Sequence, residues 1–188
     1  MVWDHEVGGS NPLTPTTDCK TYRFGLLPKG KQMYRRIMVP LDGSELAECV
    51  LPHIEAIGKL SKASIELVYV IEPFELPTRG GIALSVDDLK QIAAHSKHDA
   101  ENYLHGIVER LKLAGIEAHS KILTGRAADS LVDHIHKSNF DLIIMATHGR
   151  SGISRWIWGS VADKMLHSSS VPILLVRSLE CIPGSKNQ

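Results

Sequence analysis

From residue 36 onward the chain alternates short apolar runs with longer segments whose apolar positions recur every three or four residues. RIMVPL (36–41) closes a basic pair and is otherwise apolar, which predicts a buried strand. Asp42-Gly43-Ser44 follows, and Ser44 stands where a helix carrying Leu46, Val50, Ile54 and Ile57 on one face needs its N-cap. Pro52 falls inside that helix and predicts a kink. SIELVYVI (64–71) reads as the second strand. A looser stretch, EPFELPTRGGIAL (72–84), leads to Ser85, which with Asp88 makes an S-x-x-D capping signal. The helix after it is the most periodic element, with Leu89, Ile92, Ala93, Ala100, Leu104, Ile107, Val108 and Leu111 on one stripe and Gly115 at its end. IEAHSKIL (116–123) is a third strand, RAADSLVDHIHKS (126–138) a third helix and DLIIMA (141–146) a fourth strand. A glycine-containing loop, a helix over 160–168 and the strand VPILLV (171–176) complete the pattern.

Strands alternating with helices build βαβ units. The expected fold is a single doubly wound α/β domain: a five-stranded parallel sheet of order 3-2-1-4-5 with helices on both faces. Composition agrees, since 188 residues with 43% hydrophobic content suffice for one domain with a substantial core. A formal net charge of zero speaks against a general affinity for nucleic acid or membrane surfaces. No apolar run is long enough to span a bilayer, and Cys19, Cys49 and Cys181 offer neither a CxxC nor an even set. A reducing cytoplasm is the expected compartment.

Residues 1–32 are rich in Gly, Pro, Thr and Asn without periodicity, and read as a disordered or non-native extension. Gly9-Ser10-Asn11-Pro12 is what the bases GGTTCGAATCC encode, a string typical of the T-arm of a transfer-RNA gene. On that reading Met33 begins the protein proper. The domain then covers 33–177 and residues 178–188 form a tail.

In open α/β sheets the ligand crevice lies where strand order reverses, here between strands one and four. Strand one ends at Asp42, a carboxylate that repels phosphate but accepts from ribose hydroxyls or an amine. Strand four leads through His148, Arg150 and Arg155 to Gly159-Ser160 at a helix start, where unpaired N–H groups and the helix dipole favour an anion. A sugar at one end and phosphates at the other describe a nucleotide. Neither G-x-G-x-x-G after strand one nor G-x-x-x-x-G-K-[ST] anywhere is present.

Residues 33–177 resemble a universal stress protein domain of the ATP-binding type, through MYRRIMVPLDGS, MATHGRSG, WGSVADKML and VPILLVR. Gly149, the nine intervening residues, Gly159 and Ser160 match the last fixed positions of that family's G-x2-G-x9-G-[ST] signature; Ala146 stands where its first Gly would be. The resemblance implies that Pro40 and Asp42 contact the nucleoside and that Val70 lies beside the base. Met145, Ala146, Gly149, Gly159, Ser160 and Val161 would line the phosphate side, with Arg150 a further phosphate contact. It also implies ATP, with Mg²⁺ carried on the phosphates, and a homodimer through Val171 to Val176. Burial of that strand under residues 178–188 is the alternative.

Simpler readings stand beside these. Asp42-Gly43-Ser44 is also ordinary turn chemistry, and Trp156 and Trp158 suit packing of the loop. His95, His98 and His105 lie off the apolar stripe without carboxylate or Cys partners at ligand spacing, so no metal site is expected. His134 and His136 point to different sides of their helix. No nucleophile–base–orienter set surrounds His148, so no catalytic residue is assigned. The expected function is a cytoplasmic ATP-binding stress-response or regulatory protein, the nucleotide acting as signal or structural ligand with at most slow hydrolysis. A phosphoryl- or adenylyl-transfer enzyme is one alternative. An interaction module that has lost nucleotide binding is the other.

Overall fold

The computed structural model describes residues 33–73, 85–147 and 159–177. Five strands form one parallel sheet: β1 (Arg36–Leu41), β2 (Ser64–Ile71), β3 (Ala118–Thr124), β4 (Leu142–Ala146) and β5 (Ile173–Val176). Their order is β3-β2-β1-β4-β5, the order expected. Between them run α1 (Glu45–Glu48), α2 (Leu51–Ser61), α3 (Val86–Leu113), α4 (Ala127–Lys137) and α5 (Ser160–Ser168). The expectations for residues 1–32, 148–158 and 178–188 lie outside the described residues.

Alternation along each strand divides the apolar runs between two cores. Ile37 and Val39 of β1 and Leu142 and Ile144 of β4 join Ile54 of α2 with Leu104 and Leu111 of α3 on one face. Met38, Ile143 and Met145 point the other way, against Leu131 and Ile135 of α4 and Ala162 and Met165 of α5. Each fully buried side chain of this size contributes roughly 1.5–3 kcal/mol relative to exposure. Among the described residues no helix is long and apolar enough to cross a membrane.

Two helical expectations need correction. The helix after β1 is not one kinked rod. It stops at Glu48, turns at Cys49 and Val50, and restarts as α2 with Pro52 in its first turn. A proline has no N–H to give to the preceding turn, whereas in the first turn of a helix that donor is unpaired anyway. The apolar stripe of α3 is also buried along only half its length. Ala100, Leu104, Ile107, Val108 and Leu111 are buried, while Ile92 and Ala93 are exposed and Leu89 is half-buried. A 28-residue helix simply outruns the sheet it packs on.

The buried carboxylate of Glu66 on β2 has no counterpart among the sequence expectations. Its Oε1 lies 2.5 Å from Nε2 of His134 on α4, and its Oε2 lies 3.1 Å from Nε2 of His119 on β3. Nη2 of Arg36 on β1 approaches Oε2 at 3.7 Å, and the Arg36 guanidinium stacks 5.2 Å from the centre of the Phe140 ring. Four elements are therefore tied to one carboxylate. Burial acts to raise the Glu66 pKa, but the hydrogen bonds from His134 and His119, reinforced by their charge, outweigh it and hold the value below the ordinary 4.5.

A carboxylate with a depressed folded pKa stabilises fully above its unfolded value, and that stabilisation is lost as pH falls through the folded value. Glu66→Gln is therefore expected to lower stability by about 1–3 kcal/mol at pH 7. Urea unfolding from pH 7 down to pH 3 should show the gap to wild type closing below the carboxylate's ordinary value. A gap independent of pH would remove the ionic role of Glu66.

Candidate functional site

Strand β1 pairs with β2 along its whole length, from Arg36↔Ser64 to Leu41↔Tyr69. With β4 it pairs only at Ile37↔Leu142 and Met38↔Ile143. Beyond Met38 the two central strands part. The chain leaving β1 enters the helices of one face and the chain re-entering after β4 joins the other, so the gap between the carboxyl ends of β1 and β4 stays open. A cavity of about 620 Å³ occupies it.

On one side of this cavity stand Pro40, Asp42 and Val70, the three residues assigned to the nucleoside. Gly43 has φ of 80°, which lets the chain turn sharply after Asp42. Asp42 Oδ1 accepts the Ser44 N–H at 3.0 Å and the Ser44 hydroxyl at 2.7 Å. Ser44 Oγ in turn accepts the Ala47 N–H at 3.1 Å, acting as the expected N-cap of α1. The turn reading and the ligand reading of Asp42 are thus compatible: the turn fixes the carboxylate at the cavity wall.

On the other side stand Met145, Ala146, Gly159, Ser160 and Val161. The Thr147 N–H donates to the Val176 carbonyl at 2.9 Å, and the Thr147 carbonyl accepts the Gly159 N–H at 3.0 Å. The residues flanking 148–158 are therefore joined to each other at the cavity rim. Gly149 and Arg150, with His148, Arg155, Trp156 and Trp158, lie outside the described residues. Gly159 is the N-cap of α5 and, among the described residues, no side chain caps the helix, whose first residues, Ser160, Val161 and Ala162, all line the cavity. An uncapped helix start of this kind presents N–H donors and the positive end of the dipole to whatever enters.

Ala146, the departure from the glycine signature, is the last residue of β4 and pairs with Val176. Among the described non-glycine residues Lys62 alone has positive φ, so the backbone at Ala146 makes no demand for glycine. Its methyl group matters only through the space it takes in the cavity.

Several lining residues escaped the sequence reading. Glu72, just past β2, lines the cavity and accepts the Ala127 N–H at 2.8 Å, capping α4. A carboxylate directly after a strand is the same signal that marked Asp42. Ser96 and Asp99 of α3 also line it, as do Tyr69 and Thr147. The Tyr69 ring meets that of Tyr103 edge-on at 6.2 Å. The Tyr103 hydroxyl is buried with no hydrogen-bond partner among the described residues. Burial first, then the charge of the Glu48 carboxylate and its attraction for the hydroxyl proton, and then the charge of Asp42 push its pKa well above 10.0, so it stays a protonated donor.

The described walls therefore differ in charge. Carboxylates of Asp42, Glu72 and Asp99 stand on the β1, β2 and α3 side, and the start of α5 stands on the β4 side. Such a cavity suits a ligand with hydrogen-bond donors at one end and an anion at the other.

Residues 33–177 match the model of the universal stress protein family. The universal stress protein MJ0531 of Methanocaldococcus jannaschii is 28% identical over 155 residues, covering 81% of this chain and 87% of that protein. The solved structure of MJ0577 from the same organism superposes with a TM-score of 0.68 at 26% identity, covering 78% of this chain and 97% of the other. A universal stress protein family protein from Arabidopsis thaliana, solved with AMP bound, shares the fold with a TM-score of 0.56 at 15% identity over 80% of this chain and 97% of its own.

Ser44→Ala removes both the cap of α1 and the hydroxyl that holds Asp42. It is expected to lower stability by about 0.5–2 kcal/mol in urea unfolding. Unchanged stability would mean that water replaces the cap without loss.

Proposed function

We propose that this chain, which belongs to the universal stress protein family, is a cytoplasmic stress-response or regulatory protein that binds an adenine nucleotide. ATP is the ligand, acting as a signal or structural element with at most slow hydrolysis. The observation that carries this reading is convergence. Pro40, Asp42, Val70, Met145, Ala146, Gly159, Ser160 and Val161 come from four separate stretches of chain and line one cavity. The residues present fit the ligand. The start of α5, where backbone N–H groups face the cavity, suits the phosphates and the Asp42 carboxylate suits ribose hydroxyls. The family resemblance also assigns Gly149 and Arg150, which lie outside the described residues, to the phosphate side, with Mg²⁺ carried on the phosphates.

Other members of the fold support an adenine nucleotide. The Arabidopsis protein carries AMP, and further universal stress protein structures are complexes with cAMP and, from Archaeoglobus fulgidus, with dAMP. The homodimer through Val171 to Val176 is part of the same proposal. It is supported by the position of β5 at the sheet edge, where Ile173, Leu174 and Leu175 stay only half-buried. An edge strand of this kind exposes backbone groups that a second copy can pair.

Protein purified without added nucleotide and then denatured should release ATP, identified by mass spectrometry. Titration calorimetry on emptied protein should give micromolar affinity, about −8 kcal/mol. Asp42→Ala should weaken it about tenfold or more, the loss of a charged hydrogen-bond acceptor. Undiminished affinity in that variant removes the ribose role of Asp42. No binding of ATP, ADP, AMP or cyclic AMP by the wild type removes the nucleotide reading itself.

A further inference from the structure

Helix α3 has 28 residues, about 42 Å at its regular rise. Strand β2 beside it has eight, about 26 Å. All the buried side chains of α3 lie from Ala100 onward. Since α3 begins at the carboxyl end of the sheet, its N-terminal half overhangs that end, beside the cavity. Two side chains of the overhang line the cavity, Ser96 and Asp99, three residues apart and so on one face of the helix. Ser96 is half-buried while residues 90–95 and 97–99 are exposed. Asp99 Oδ2 lies 3.3 Å from Nε2 of His95 on the same helix, a carboxylate neighbour that the sequence reading denied to this histidine, and both side chains are largely exposed. One turn further on, the Tyr103 ring meets that of Tyr69 at 6.2 Å, and Tyr69 pairs with Leu41, the residue before Asp42, so the Asp42 end of the cavity is the end that α3 borders.

We propose that Ser96 and Asp99 are ligand-binding residues: an acceptor wall that takes hydrogen bonds from O–H or N–H donors on the nucleoside part of the nucleotide. This deepens the reading above and rests on it. A carboxylate on that wall repels phosphate and accepts from hydroxyl or amine, so it orients the nucleotide with its phosphates toward the start of α5. Asp99 thus acts with Asp42 from a second element. It makes affinity depend on the nucleoside rather than on the phosphate chain alone.

The sign of one substitution tests this. Adenosine and ATP are titrated calorimetrically into emptied wild type, Asp99→Ala and Ser96→Ala, with circular dichroism confirming that the helix, where Ala is a good former, is retained. Asp99→Ala is expected to weaken adenosine and ATP by a similar factor, about fivefold to tenfold, and Ser96→Ala to weaken both by a smaller one. If Asp99→Ala instead tightens ATP and leaves adenosine alone, the carboxylate only repels phosphate and the proposal is overturned. It is equally overturned if both variants bind both ligands as wild type does. Failure of the wild type to bind either ligand removes the nucleotide reading, and this proposal with it.

Discussion

Everything at the candidate site depends on the separation of β1 from β4. The two strands are hydrogen-bonded where they begin and have parted by the time they end. The cause is topological. Crossovers from β1 through β2 to β3 put α1, α2 and α3 on one face, whereas α4 and α5 cover the other. At the strand pair where the direction of winding changes, the two departing segments move to opposite faces and neither fills the space between them. The cavity is a consequence of strand order, and any residue at the carboxyl end of either strand is delivered to it.

Strand β2 supplies a second constraint. Glu66 on β2 and Glu72 just past its end both reach α4. Glu72 accepts the Ala127 N–H at the start of α4, and Glu66 holds His134 near its end. One helix is thereby fixed to one strand at two points by carboxylates. Ala127 and Leu131, which α4 contributes to the cavity wall, are positioned by that clamp. The ionic cluster at the far end of the sheet is thus connected to the shape of the site through a rigid helix rather than by direct contact.

The cavity divides its chemistry between these elements. Acidic side chains enter from β1, β2 and α3, while the backbone donors of α5 enter from the other side. Side-chain carboxylates and a helix start are complementary devices: one accepts hydrogen bonds and repels anions, the other donates them and attracts anions. Their separation across one cavity gives a dipolar ligand a single favoured direction.

Much of this was legible in the sequence because it is local. The alternation of apolar runs and helical stripes marked all five strands, and Ser44 and Ser85 marked the caps they indeed form. Asp42, Gly159 and Ser160 could be placed at the site from strand ends and a glycine signature alone. The break at Cys49-Val50 was misread as a kink, because Pro52 is compatible with either and the choice rests on how Val50 and Ile54 pack. Glu66 went unremarked within SIELVYVI, since its partners His119 and His134 are more than fifty residues away.

Ser96 and Asp99 were invisible for a different reason: only the lengths of helix and sheet, compared in space, show that α3 reaches the cavity. The sequence by itself determined which segments are strands and, apart from the break at Cys49-Val50, which are helices, and in what order, because periodicity and capping act over one or two turns. The tertiary structure alone decided which distant side chains share a cavity or a carboxylate. Those contacts depend on strand order and helix overhang, quantities that no short stretch of residues contains.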